Sequence, residues 1–105
     1  MGREDKVIIE PAVKSLQRKK IKAIGPMPPD TIFRAAYTGK LDGIVSMYHD
    51  QGLAPLKMIA FDEGINVTLG LSFLRSSPDH GTGFDIAYKG KASSRSTEKA
   101  IEYLL

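Results

Sequence analysis

The run Gly43-Ile44-Val45-Ser46-Met47-Tyr48 narrows the fold of this 105-residue chain more than any other feature. It is almost continuously apolar and bounded by polar residues. A strand with one wet face alternates apolar and polar residues, whereas a strand buried on both faces reads as an unbroken apolar run. Such a strand needs covering layers on both sides, so the run predicts an α/β architecture in which a mainly parallel sheet is flanked by helices. Ile65-Asn66-Val67-Thr68-Leu69-Gly70-Leu71, rich in β-branched residues, reads as a second strand, and Ile21–Ile24, closed by Gly25-Pro26, as a third.

Helices are expected between these strands. Ile8, Ile9, Ala12, Val13 and Leu16 recur at three- and four-residue steps, which predicts an amphipathic helix to about Lys20. Pro11 either kinks it or marks the first turn of its main part. Arg18-Lys19-Lys20 reads as the end of that helix, because cations there oppose the negative end of the macrodipole. Thr31–Ala36 predicts a second helix, Leu53–Phe61 a short helix or an irregular apolar segment, and residues 72–83 a long loop. At the C-terminal end, Ser94 or Ser96 can cap a helix with Glu98 in its first turn and Ala100, Ile101, Leu104 and Leu105 as its apolar stripe. The length suits one modest core.

The formal charge is +3, but apart from Arg18-Lys19-Lys20 the basic residues are scattered, which argues against a nucleic-acid surface and suits anionic substrates and cofactors. No segment approaches the ~20 apolar residues of a membrane span, and no apolar run follows the N-terminal charges. The expectation is a cytoplasmic protein with no membrane partner. With no cysteine in the chain, a metal would have to be held by His, Asp or Glu.

Three constellations could carry chemistry. Tyr48-His49-Asp50-Gln51-Gly52 follows the apolar run, and in open α/β sheets ligands gather beyond the carboxyl ends of strands. A lone His-Asp pair is as often a surface or capping feature, and a catalytic metal takes three protein ligands. Asp79-His80-Gly81-Thr82-Gly83, leading to Phe84-Asp85-Ile86-Ala87, offers backbone N–H groups to an anion, although its spacing is no phosphate-loop or dinucleotide fingerprint and also suits a plain turn. Lys57, Asn66 and Arg75 lie on three segments. Lysine brings a mobile charge, asparagine a neutral donor and acceptor, and arginine a planar fork for carboxylate or phosphate. Lys57 sits within an apolar stretch, so its cation either snorkels outward or faces a bound anion.

Taken together, Gly25-Pro26-Met27-Pro28-Pro29-Asp30-Thr31, Met47–Gly52, Asn66–Leu71 and Asp79–Thr82 closely resemble, in order and spacing, the C-terminal part of the 4-hydroxythreonine-4-phosphate dehydrogenase family. The resemblance covers essentially the whole chain but about the last third of the family's usual length. It implies part of a fold like that of the isocitrate and isopropylmalate dehydrogenases. His49 would be one of three ligands to a divalent metal (Zn, Mg, Mn or Co), the other two histidines lying upstream of Met1. Lys57, Asn66 and Arg75 would hold the phosphorylated substrate, with Asp50 and Lys57 in catalytic positions.

His80, Gly81, Thr82 and Asp85 would bind the cofactor, NAD or NADP, with Tyr88 standing where a glycine is usual and Ser93-Ser94 where an acidic or amide residue and a proline often occur. The implied reaction is NAD-dependent oxidation and decarboxylation of 4-phosphohydroxy-L-threonine in pyridoxal 5'-phosphate (vitamin B6) biosynthesis. The related alternatives are a dehydrogenase of four-carbon acid-sugar phosphates, threonate or erythronate 4-phosphate, and a non-catalytic fragment. The resemblance further implies a homodimer with its site at the interface, residues 1–105 as a single C-terminal segment carrying metal, substrate and cofactor loops, and no activity for that segment alone.

Overall fold

A computed structural model describes residues 2–105, which form two compact units that divide between Val45 and Ser46, where length alone suggests one. In the first unit, a π-helical turn over Asp5–Ile9 runs into α1, Glu10–Arg18. Pro11 explains the junction. It lies in the first turn of α1, has no N–H, and its ring would strike a carbonyl one α-turn back. The helix entering it is wound wider, with the Glu10 N–H donating to Asp5 O, five residues earlier.

α1 ends as the basic cluster predicts. Lys19 is the C-cap and Lys20 takes φ +63°. The Lys20 N–H donates to Gln17 O at 2.9 Å and the Ile21 N–H to Leu16 O at 3.1 Å, the two bonds of a Schellman motif. The expected second helix, α2, spans Pro29–Tyr37 and closes with the same motif, the N–H groups of Gly39 and Lys40 donating to Ala36 O and Ala35 O, both at 2.9 Å. Here the left-handed position is Gly39, at φ +75°. The two helix ends differ in which residue carries the left-handed turn, a lysine in one and a glycine in the other.

The second unit comprises α3 (His49–Ala60), β1 (Ile65–Val67), β2 (Ser76–Pro78), a single 3-10 turn at Phe84–Ile86, and α4 (Arg95–Glu102). α3 begins four residues earlier than Leu53. Asp50 lies in its first turn, against the positive end of the dipole, and Gln51 reaches back so that its Oε1 accepts the Met47 N–H at 2.8 Å. Pro55 lies inside the helix and removes one internal donor. β1 and β2 pair antiparallel in the register Ile65↔Pro78, Asn66↔Ser77 and Val67↔Ser76.

α4 packs on the hairpin. Ser96 and Ala100, one turn apart, are each only 5% exposed, and Gly64 is buried beside them. The Ser96 hydroxyl donates to Gly64 O at 2.7 Å and accepts the Asp79 N–H at 2.9 Å, while the Ser76 hydroxyl donates to Ala100 O at 2.6 Å. Removing the Ser96 hydroxyl would leave two main-chain polar groups without partners, at roughly 1–3 kcal/mol for each buried group.

Three expectations are corrected. The sheet among the described residues is a two-stranded antiparallel hairpin, not a parallel sheet. Ile21–Ile24 and Gly43–Tyr48 form no strand, because a strand takes its backbone hydrogen bonds from a neighbour and neither segment has one here. Val45 is accordingly 84% exposed. The reading of 65–71 as one strand and 72–83 as loop also fails, since β1 stops at Val67 and β2 falls inside the expected loop. Finally, of the predicted α4 stripe only Ala100 is buried, with Ile101, Leu104 and Leu105 exposed; Ser94, one of the two expected residues, stands at the N-cap with Glu98 in the first turn, and Ser96 is interior.

The paired helix ends give a direct test. A residue with a Cβ loses about 1–2 kcal/mol in the left-handed region, part of which glycine's extra chain entropy offsets. Lys20→Gly is expected to stabilise α1 by about 0.5–1 kcal/mol and Gly39→Ala to destabilise α2 by a similar amount, read from thermal unfolding followed by circular dichroism.

Candidate active site

β-Strand alternation decides which predicted residues share a surface. Val67 and Ser76 are cross-strand partners, and the Ser76 hydroxyl bonds α4, so that face of the hairpin is the covered one. Asn66 and Ser77, the next pair, point to the opposite, open face. The ladder continues one step further, the Thr68 N–H donating to Arg75 O at 3.0 Å, which puts Thr68 and Arg75 on the open face as well. Arg75 is held there: its guanidinium Nη1 donates to Thr68 Oγ1 at 2.8 Å. Asn66 and Arg75, nine positions apart in sequence, therefore occupy one side of one hairpin. Thr68 escapes sequence reasoning because nothing but the register assigns it as the arginine's support.

Lys57 comes to the end of this hairpin from α3. Its ammonium donates to the main-chain oxygen of Asp79 at 3.2 Å and pairs with Asp79 Oδ2 at 3.2 Å, with the ring centroid of Phe61 5.6 Å away. The side chain is two-thirds buried and its cation is directed to a carboxylate beside the hairpin, an internal partner that neither reading of the sequence named. Asp79 thus partners Lys57, whereas sequence adjacency suggests His80. The His80 ring has only a 3.4 Å approach of Nδ1 to Gly81 O.

His49 is the first residue of α3 and is largely exposed. Its Nδ1 lies 2.7 Å from Asp50 Oδ1. A proton on Nδ1 donates to that carboxylate and leaves the Nε2 lone pair directed outward, the arrangement in which a histidine ligates a metal. The donor chemistry fits one corner of a metal site. Among the described residues no three His, Asp or Glu side chains gather to complete one.

His80, Gly81 and Thr82 form an exposed segment ahead of the 3-10 turn that contains Asp85. Gly83 makes the bend at φ +57°, and a Cβ there would stand 3.3 Å from Ile86. Lys89 Nζ donates to Asp85 O at 2.6 Å, closing the turn from its far side. Tyr88 takes φ +59° with its side chain fully in solvent, so the position where the resemblance expects glycine is one whose backbone favours it.

With this geometry in view, comparison with known proteins is decisive. The family described as Pyridoxal phosphate biosynthetic protein PdxA matches residues 1–104. The chain belongs to the PdxA family. A relative named 4-hydroxythreonine-4-phosphate dehydrogenase, from Bradyrhizobium diazoefficiens, is 53% identical over 97% of this chain and 30% of its own length. One named D-threonate 4-phosphate dehydrogenase, from Pectobacterium atrosepticum, is 48% identical over 96% of this chain and 31% of its own. A Salmonella typhimurium structure provisionally described as a 4-hydroxythreonine-4-phosphate dehydrogenase superposes with a TM-score of 0.82 at 48% identity, over 99% of this chain and 32% of that one. The chain therefore spans less than a third of the length of these PdxA-family relatives.

Outside the predicted site, an ion pair joins the loop after α3 to α4. Arg95 donates from Nε at 3.0 Å and Nη2 at 2.6 Å to the same oxygen of Glu63. The hydrogen bond and then the charge of Arg95 hold the Glu63 carboxyl below the ordinary glutamate range, and the same contact raises the guanidinium. A depressed carboxyl pKa adds stability that is present above the unfolded value and is lost as pH falls through the folded one. Both side chains are half-exposed, so the effect is small and screened by salt. The expected result is a melting temperature that drops on acidification through and below the glutamate range, with a shallower drop in Glu63→Gln and no difference between the two proteins at high salt.

Proposed function

We propose that this chain is part of a metal-dependent NAD(P) dehydrogenase that oxidises and decarboxylates 4-phosphohydroxy-L-threonine in pyridoxal 5'-phosphate biosynthesis. The observation that carries the reading is the match of residues 1–104 to the PdxA family. The name of the Pectobacterium relative favours one second reading, in which the substrate is D-threonate 4-phosphate and a hydroxyl replaces the amine.

In either reading the chain's own residues bind and orient. Arg75, braced by Thr68, presents a planar fork to the substrate phosphate, Asn66 presents its amide on the same face, and Lys57 adds a point charge from the hairpin's end. His49, its ring fixed by Asp50, would offer Nε2 as one ligand to a divalent metal. His80, Gly81, Thr82 and Asp85 line the cofactor side. When bound, the metal supplies Lewis-acid polarisation of the substrate oxygen and NAD(P) accepts the hydride. The accompanying assembly is a homodimer that brings two such sites together.

The test uses the full-length enzyme that contains this segment. NADH formation should be faster with 4-phosphohydroxy-L-threonine than with D-threonate 4-phosphate; the reverse order assigns the second reading. His49→Ala should lower bound metal and turnover together, and unchanged metal content would remove His49 from the ligand set. Arg75→Ala should reduce kcat/KM by roughly a hundredfold, chiefly through KM, as expected for loss of a bidentate contact to a charged group. The 105-residue segment alone should produce no NADH with metal, cofactor and substrate supplied, because positioning and metal contributions are both incomplete.

A further inference from the structure

We propose that Asp79 is a positioning residue of the substrate clamp, setting the direction in which Lys57 presents its charge; this rests on the reading of Lys57 as a phosphate-binding group. A lysine ammonium has three N–H donors and no fixed orientation of its own. Here Asp79 engages it twice, through its main-chain oxygen and through Oδ2, both at 3.2 Å. The ring of Phe61 lies on another side at 5.6 Å. Two donors are thereby committed to one residue, and the third is left for a bound anion.

Asp79 can serve as such an anchor because it does not move freely. Its side chain is 23% exposed, less than that of the lysine it holds. Its N–H donates to the buried Ser96 hydroxyl, which in turn donates to Gly64 O, so the residue is tied by its main chain to α4 and to the segment entering β1. These links survive any substitution that keeps the Asp79 backbone, which allows the carboxylate to be tested separately from the scaffold. Asp79 also immediately precedes His80, so the anchor of the substrate lysine is covalently continuous with the proposed cofactor segment.

Two opposing effects follow from removing the carboxylate. An anionic substrate would gain from losing a nearby negative charge, but that charge is already paired with Lys57 and screened at a partly open surface. The lysine would meanwhile regain rotamer freedom that binding must again remove, which is the larger effect for a long flexible side chain. The net expectation is weaker substrate binding.

The experiment is a double-mutant cycle in the full-length enzyme with Asp79→Asn and Lys57→Met, measuring KM for the phosphorylated substrate, KM for NAD, and kcat. Asp79→Asn should raise substrate KM roughly fivefold to tenfold, with NAD KM changed by less than about twofold. In the Lys57→Met background the same substitution should no longer raise substrate KM, because the group through which it acts is gone, and relief of the now unpaired Asp79 charge can only lower it. Independent, additive effects would overturn the proposal, as would an unchanged or lowered KM in Asp79→Asn alone. If Lys57→Met by itself leaves KM and kcat unaltered, the phosphate reading of Lys57 fails and takes the proposal with it. Should Asp79→Asn prove unstable, Asp79→Glu carries the test: it restores the charge one methylene further out, and it should give a KM between those of the parent and Lys57→Met.

Discussion

The second unit depends on one hydroxyl group. Ser96, on α4, donates to the carbonyl of Gly64 and accepts the N–H of Asp79, and so joins the chain just before β1 to the chain just after β2. Both strands are three residues long, and so short a hairpin is marginal without something packed against it. Alanine at 100 lets α4 sit close enough for the serine to reach both groups, and Gly64 offers its backbone at the contact. The result is a polar core contact where a larger domain would use aliphatic side chains. It fixes the hairpin in place, and with it the open face on which Asn66 and Arg75 lie.

Much of the helical layout was legible from the sequence, and the reason is local. The apolar spacing of α1, the basic cluster at its end, and Pro11 in its first turn are all read from neighbours within a few residues. The sheet was not legible. Strand formation depends on a partner that sequence does not name, so the apolar run at Gly43–Tyr48 looks like a strand yet has nothing to pair with among the described residues. Conversely, Ser76-Ser77-Pro78 has almost no strand character and pairs because β1 and α4 offer it partners. Ser96 misleads in the same way: serine near a helix start suggests a cap, and only the packing shows that its hydroxyl faces inward.

The candidate site was legible as a set of residue types and not as an arrangement. Lys57, Asn66 and Arg75 stand out because their chemistry suits an anion, yet the sequence gives no reason for Thr68 to support Arg75 or for Asp79 to hold Lys57. Both supports come from the hairpin, whose short register is invisible in composition. His49 and Asp50 are the exception. They are adjacent, and a helix start leaves both side chains in solvent close enough to bond, so proximity in sequence becomes proximity in space.

The hairpin's register also constrains how this part of the molecule can change. Because side chains alternate strictly along a strand, sliding β2 by one residue would turn Arg75 and Ser77 toward α4 and send Ser76 outward, burying a guanidinium where a serine now bonds a helix carbonyl. The connection between Thr68 and Arg75 can lengthen or shorten at little entropic cost, since loop closure depends only weakly on length. Variation is thus tolerated in the connecting loop and penalised within the three paired positions, and odd shifts there would exchange a binding surface for an interior one.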